Sequence, residues 1–66
     1  MTLTINGEER AFAGLSDIAA LVAALGLDAR KVAVEKNLEI VPRSAYAATA
    51  LAEGDRIEIV HFIGGG

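Results

Sequence analysis

Ser16-Asp17-Ile18-Ala19-Ala20-Leu21-Val22-Ala23-Ala24-Leu25-Gly26-Leu27 is the stretch that decides the fold. Ile18, Leu21, Val22 and Leu25 recur at i, i+3, i+4 and i+7, a spacing that lines up one face of an α-helix. Ser16 is the expected N-cap, with Asp17 in the first turn, where a negative charge favours the helix dipole. Gly26 suits the left-handed position after the last turn, and Leu27 can then close a Schellman contact. The pattern predicts a helix from about Ser16 to Leu25. A single apolar stripe can cover only one face of a sheet. Strands on either side of it therefore imply a two-layer α+β domain, with the other sheet face left to solvent or to a partner.

Upstream, Met1, Leu3 and Ile5 alternate with Thr2 and Thr4, which reads as a half-buried strand. Asn6-Gly7 follows, the pair best suited to a type I′ hairpin turn. The return strand is expected over Glu8 to Ala13. A two-residue turn puts Glu8, Arg10 and Phe12 on the Leu3/Ile5 face, so this is an edge strand that enters the core only at Phe12. Downstream, Val32 and Val34 alternate with Ala33 and Glu35 in a third strand that stops at Lys36-Asn37. Glu39-Ile40-Val41 is a short extended piece ended by Pro42, and Ser44 is the expected cap of one irregular turn through Tyr46. Glu53-Gly54-Asp55 reads as a turn before a last strand, Arg56 to Ile63. The expected core is Leu3, Ile5, Ile18, Leu21, Val22, Leu25, Val32, Val34, Ile57 and Ile59. Alternation sends Val60 and Phe62 to the face away from the helix, where they are the expected partner-docking residues.

The 66 residues make one small domain, expected over residues 1–63, with 64–66 as a flexible glycine tail. A core this thin leaves little room for an enclosed active site. Net charge is −3, and the six Lys and Arg are scattered. A chain without a basic stripe repels phosphate backbones, so nucleic acid is not an expected partner. With no cysteine and a single histidine, His61, there is no zinc site of the usual kind and no thiol nucleophile. A serine triad would have to combine His61 with Ser16 or Ser44, both better read as caps. The carboxylates Glu8, Glu9, Glu35, Glu39, Glu53, Asp55 and Glu58 fall in strands and turns and read as solvated surface. No bound cofactor is expected, and no enzyme activity. The N-terminal stretch has neither a charged leader nor a long apolar run, and a cytoplasmic location is expected.

The strand Arg56-Ile57-Glu58-Ile59-Val60-His61-Phe62-Ile63 runs directly into Gly64-Gly65-Gly66. Three glycines at one fixed place arise by chance in roughly one chain in several thousand. Without a Cβ, such a tail can thread a channel too narrow for other residues. Extended, it spans ~10 Å, enough to carry an α-carboxylate at Gly66 into another protein's active site. That carboxylate, with a reference pKa of ~3.3–3.7, is ionised at neutral pH and is a poor acyl electrophile. Activation needs a better leaving group, such as an acyl-adenylate, and the chain carries no phosphate-binding loop of its own. The expected function is therefore a carrier acted on by a separate, ATP-using enzyme.

The ending Glu58 to Gly66, the run Ile40-Val41-Pro42-Arg43-Ser44-Ala45-Tyr46 and the turn Glu53-Gly54-Asp55 together resemble the ThiS family of thiamine-pathway sulfur carriers. The resemblance spans essentially the whole chain. It implies a ubiquitin-like β-grasp fold, a mixed sheet packed on one main helix, with the first and last strands adjacent and parallel. It also implies three partners. An E1-like adenylyltransferase (ThiF-type) would adenylate Gly66 with ATP, a persulfide sulfur donor would convert it to a thiocarboxylate, and thiazole synthase (ThiG-type) would accept the sulfur. Pro42 and Arg43 read as a rigid turn and a surface cation. Rival readings are a molybdopterin-type sulfur carrier, a protein modifier conjugated through Gly66, and a passive β-grasp interaction module.

Overall fold

The computed structural model describes residues 1–62, so Ile63 and the three tail glycines lie outside the described residues. β1 (Thr2–Ile5) and β2 (Glu8–Ala11) form the first hairpin, and α1 (Ile18–Ala24) follows. A 3₁₀ turn (Ala29–Lys31) leads into β3 (Val32–Lys36) and β4 (Glu39–Val41), and a longer 3₁₀ helix (Arg43–Ala48) precedes β5 (Arg56–His61). Among the described residues the sheet has five strands, in the order β2-β1-β5-β3-β4. β1 and β5 are parallel, while the β1–β2, β3–β4 and β3–β5 pairs are antiparallel. The last strand thus occupies the middle of the sheet, beside the first. This is the β-grasp arrangement.

The first hairpin follows the sequence. Asn6 and Gly7 both have positive φ, 49° and 85°, as a type I′ turn demands. Leu3 pairs with Arg10 and Ile5 with Glu8, so the two charged residues do share the core-facing side. β2 ends at Ala11 rather than Ala13, and every one of its residues is exposed. Beyond it, Phe12 and Met1 exchange main-chain hydrogen bonds, and Phe12 packs against the core.

The cap of α1 is Asp17 rather than Ser16. Asp17 is extended (φ −149°), and its Oδ1 accepts from the Ala20 N–H at 2.8 Å. Ser16 is held outside the helix because its carbonyl accepts from the Leu51 N–H, part of a bridge between Asp17 and Ala50. The Ile18 N–H, another donor that a helix start leaves free, is satisfied by the Thr49 carbonyl. At the other end, Gly26 N–H bonds to the Ala23 carbonyl and Leu27 N–H to the Val22 carbonyl. With Gly26 at φ 73°, this is the Schellman motif the sequence predicts.

The core holds Leu3, Ile5, Ile18, Leu21, Val22, Val32, Val34 and Ile57, while Leu25 and Ile59 are only partly buried. It also includes Val41, Tyr46 and Leu51, which periodicity does not assign. Tyr46 enters because the segment after Pro42 is a full 3₁₀ helix rather than one irregular turn. Ser44 lies inside that helix, and Pro42 takes the cap position with no side-chain bond. The buried Tyr46 hydroxyl donates to the Val32 carbonyl at 3.3 Å, tying this helix to β3.

Asp55 is a further departure. It is only 8% exposed, not solvated surface. Its carboxylate accepts from Asn37 Nδ2 at 3.0 Å and from the Ala52 N–H at 2.8 Å, with Lys36 Nζ at 4.0 Å. Asn37 also accepts from the Arg56 N–H through Oδ1 and donates its own N–H to the Arg56 carbonyl. These bonds fix the start of β5.

Candidate functional site

β5 presents two faces because successive strand side chains point in opposite directions. Ile57 and Ile59 face α1; Ile57 is fully buried. Glu58, Val60 and Phe62 face away, and Val60 and Phe62 are 62% and 50% exposed. Among the described residues, no loop closes over Phe62, which keeps half of its surface exposed. Across the sheet, Ala33 on β3 lies opposite Val60, and Glu35 lies opposite Glu58. On β4, Ile40 lies opposite Glu35 and is exposed. The helix-free face therefore carries Val60, Phe62, Ala33 and Ile40 around two glutamates set against each other. Like charges directly across a ladder are destabilising, and neither glutamate has an ion-pair partner among the described residues.

Phe62 also lines a shallow depression of about 290 Å³ with Ala33, Ile40, Arg43 and Tyr46. Arg43, the first residue of the 3₁₀ helix that follows Pro42, makes no ion pair among the described residues. Arg30, on another wall, is held by Asp28 through Nε and Nη2 bonds of 3.1 and 2.9 Å. That guanidinium keeps the Asp28 carboxyl well below the usual carboxylate range. The depression is thus apolar at its floor and cationic at its rim.

His61 falls on the other side. It is opposite Val32 and lines an open hollow of about 310 Å³ with Asn6, Arg10, Leu25, Leu27 and Ile59. That lining contains no carboxylate, thiol or hydroxyl side chain that could make His61 part of a nucleophile–base pair. Ser16 Oγ donates to Asp17 Oδ2 and Ser44 sits within its 3₁₀ helix, and neither serine lines the hollow that holds His61. Among the described residues no cluster of three His, Asp or Glu side chains could hold a metal, and no helix is long and apolar enough to cross a membrane.

The strand's outer end is held from both sides. Phe62 N–H donates to the Lys31 carbonyl at 2.8 Å. On the β1 side, Asn6 Oδ1 accepts from the Ile59 N–H at 2.8 Å and Asn6 Nδ2 donates to the Ile59 carbonyl at 3.2 Å. Asn6 reads from sequence only as a turn residue, and no periodic signal reveals this second use. Ile40 was likewise legible as an extended residue but not as part of the exposed face. Gly64, Gly65 and Gly66, the expected tail and reaction site, lie outside the described residues.

The ThiS family model matches residues 3–66. The chain belongs to the ThiS family. A sulfur carrier protein ThiS from Bacillus subtilis is 46% identical over 46 residues, 70% of each chain. The crystal structure of a thiamine biosynthesis protein, ThiS from Geobacter metallireducens, superposes with a TM-score of 0.84 at 38% identity and covers all of both chains. A thiazole synthase from Paramagnetospirillum magneticum is 61% identical over all 66 residues. The chain spans only 20% of that protein's length, and the same share of a similar thiazole synthase from Magnetococcus marinus.

Proposed function

We propose that this member of the ThiS family is a sulfur carrier for thiamine biosynthesis that works through Gly66. The observation that carries the reading is the family match across residues 3–66, which takes in the strand end with exposed Val60 and Phe62 and the glycines after it. The chemistry requires a free α-carboxylate at Gly66. Its oxygen attacks the α-phosphorus of ATP on an E1-like adenylyltransferase, and pyrophosphate leaves. The terminal sulfur of a persulfide then attacks the acyl carbon and AMP leaves. A thiol cleaves the resulting acyl disulfide, forming a new disulfide and releasing the thiocarboxylate. Thiazole synthase is the proposed acceptor, and relatives bearing that name contain a stretch similar to this whole chain. Val60 and Phe62, with Ala33 and Ile40, are the proposed docking surface. The facing Glu35 and Glu58 favour a partner that sets a cationic group against this pair of carboxylates.

The test is intact mass after incubation with an adenylyltransferase of this type, ATP and a persulfide donor. A gain equal to one oxygen replaced by sulfur supports the carrier reading. Higher-mass conjugates point to a protein modifier, and an unchanged mass refutes both. Deleting Gly66 should abolish exchange of pyrophosphate into ATP and leave the melting temperature unchanged. Gly65→Ala should slow that exchange by up to ~100-fold, since a displacement of about 1 Å at a reacting group can cost that much.

A further inference from the structure

The type I′ turn needs positive φ at Asn6 and nothing from its side chain; glycine or aspartate would also serve there. Yet the Asn6 carboxamide bonds to a residue 53 positions away, and does so with both of its groups. The reason lies in the ladder. Phe62 bonds to Lys31 and Arg56 to Asn37, so the alternation of β5 turns the main-chain groups of Ile57, Ile59 and His61 toward β1. β1 serves Ile57 with the Asn6 N–H, at 2.9 Å to the Ile57 carbonyl, and then turns away into the hairpin. A side-chain carboxamide has the same donor and acceptor pair as a peptide unit. Asn6 thus supplies Ile59 with what one more peptide of β1 would have supplied, next to the segment that bears Val60 and Phe62.

We propose that Asn6 is a positioning residue for the carrier reaction: its carboxamide extends the β1–β5 ladder to Ile59 and holds the docking end of β5 in its bound geometry before a partner arrives. The inference rests on the proposed function, because its consequence is read in the adenylation step. Without the clamp, the partner must order that end of the strand on binding, and ordering costs affinity. The loss therefore falls on KM and not on kcat.

The experiment compares the full chain with Asn6→Gly and Asn6→Asp. Glycine keeps the left-handed turn and removes the clamp. Aspartate keeps the acceptor for the Ile59 N–H but sets an oxygen against the Ile59 carbonyl in place of the donor. Amide hydrogen exchange at Ile59 should accelerate by about tenfold or more in Asn6→Gly. In ATP–pyrophosphate exchange with the adenylyltransferase, KM for both variants should rise by about fivefold while kcat stays within twofold. Ile18→Val, a core change remote from this end of β5, controls for stability loss and should leave KM unchanged at temperatures where all chains are folded. An unchanged KM in Asn6→Gly beside an active wild type overturns the positioning role, as does an equal rise in Ile18→Val. A wild-type chain that supports no exchange overturns the proposed function and the positioning role with it.

Discussion

Replacing Asp55 with alanine tests whether the start of β5 is held by a buried carboxylate. The side chain accepts two hydrogen bonds, from Asn37 Nδ2 and the Ala52 N–H, and hydrogen bonds to charged groups contribute ~1.5–3 kcal/mol each. Asn37 and Ala52 are exposed, so water recovers part of that loss. Lys36 at 4.0 Å adds at most ~1 kcal/mol. The expected cost is ~2–4 kcal/mol. A domain of this length is stable by roughly 3–10 kcal/mol, so the variant should melt about 10–25 °C lower, at ~4–8 °C per kcal/mol. Thermal unfolding followed by circular dichroism measures this directly. Asp55→Asn should recover little, because one of its two acceptors becomes a donor facing a donor. A melting temperature for Asp55→Ala within 3 °C of wild type, on the order of half a kcal/mol, would refute the argument.

Leu38 sits at φ 72° with 83% of its surface exposed, in the β3–β4 turn, so Leu38→Gly should stabilise the chain by ~0.5–1 kcal/mol in urea unfolding. Burial pushes the phenol of Tyr46 up. Its contribution is complete below the unfolded-state value of ~10 and is lost as pH rises from there through the folded value. Tyr46→Phe should flatten that alkaline decline, and because Tyr46 is the sole tyrosine, phenolate absorbance reports its ionisation without overlap. Phe62→Ala should change stability by less than ~1 kcal/mol yet weaken binding to the proposed activating enzyme or to the proposed acceptor, thiazole synthase, by ~1 kcal/mol or more, about fivefold, in titration calorimetry.

The helix stripe, the Asn6-Gly7 hairpin, the Gly26 stop and the two faces of β5 were all legible because each is set by local spacing or by a backbone angle that few residues accept. What escaped was set by distant partners. Asp17 replaces Ser16 as the cap because Leu51 claims the Ser16 carbonyl, a contact with a segment 35 residues away. Asn37-Leu38 makes a second tight hairpin, with both residues at positive φ, although leucine carries no turn signal. Val41, Tyr46 and Leu51 are buried by a 3₁₀ helix and a loop that have neither strand nor α-helix periodicity. Asp55 resembles any turn aspartate until Asn37 and Lys36 close over it. At the candidate site, the exposed Val60 and Phe62 followed from alternation, whereas the Asn6 clamp joins residues that only the parallel β1–β5 pairing brings together.

The placement of the last strand at the centre of the sheet has a consequence for synthesis. During translation, β1–β2 and β3–β4 emerge first as two hairpins with nothing between them, since β5 alone pairs with both β1 and β3. An isolated two-stranded hairpin is marginal in water, so the nascent chain has no stable sheet until residues 56–61 have left the ribosome. Any product truncated before that point lacks β5, which both carries Val60 and completes the sheet. Chains cut short of β5 are therefore exposed to proteases rather than available as folded decoys for the proposed partners.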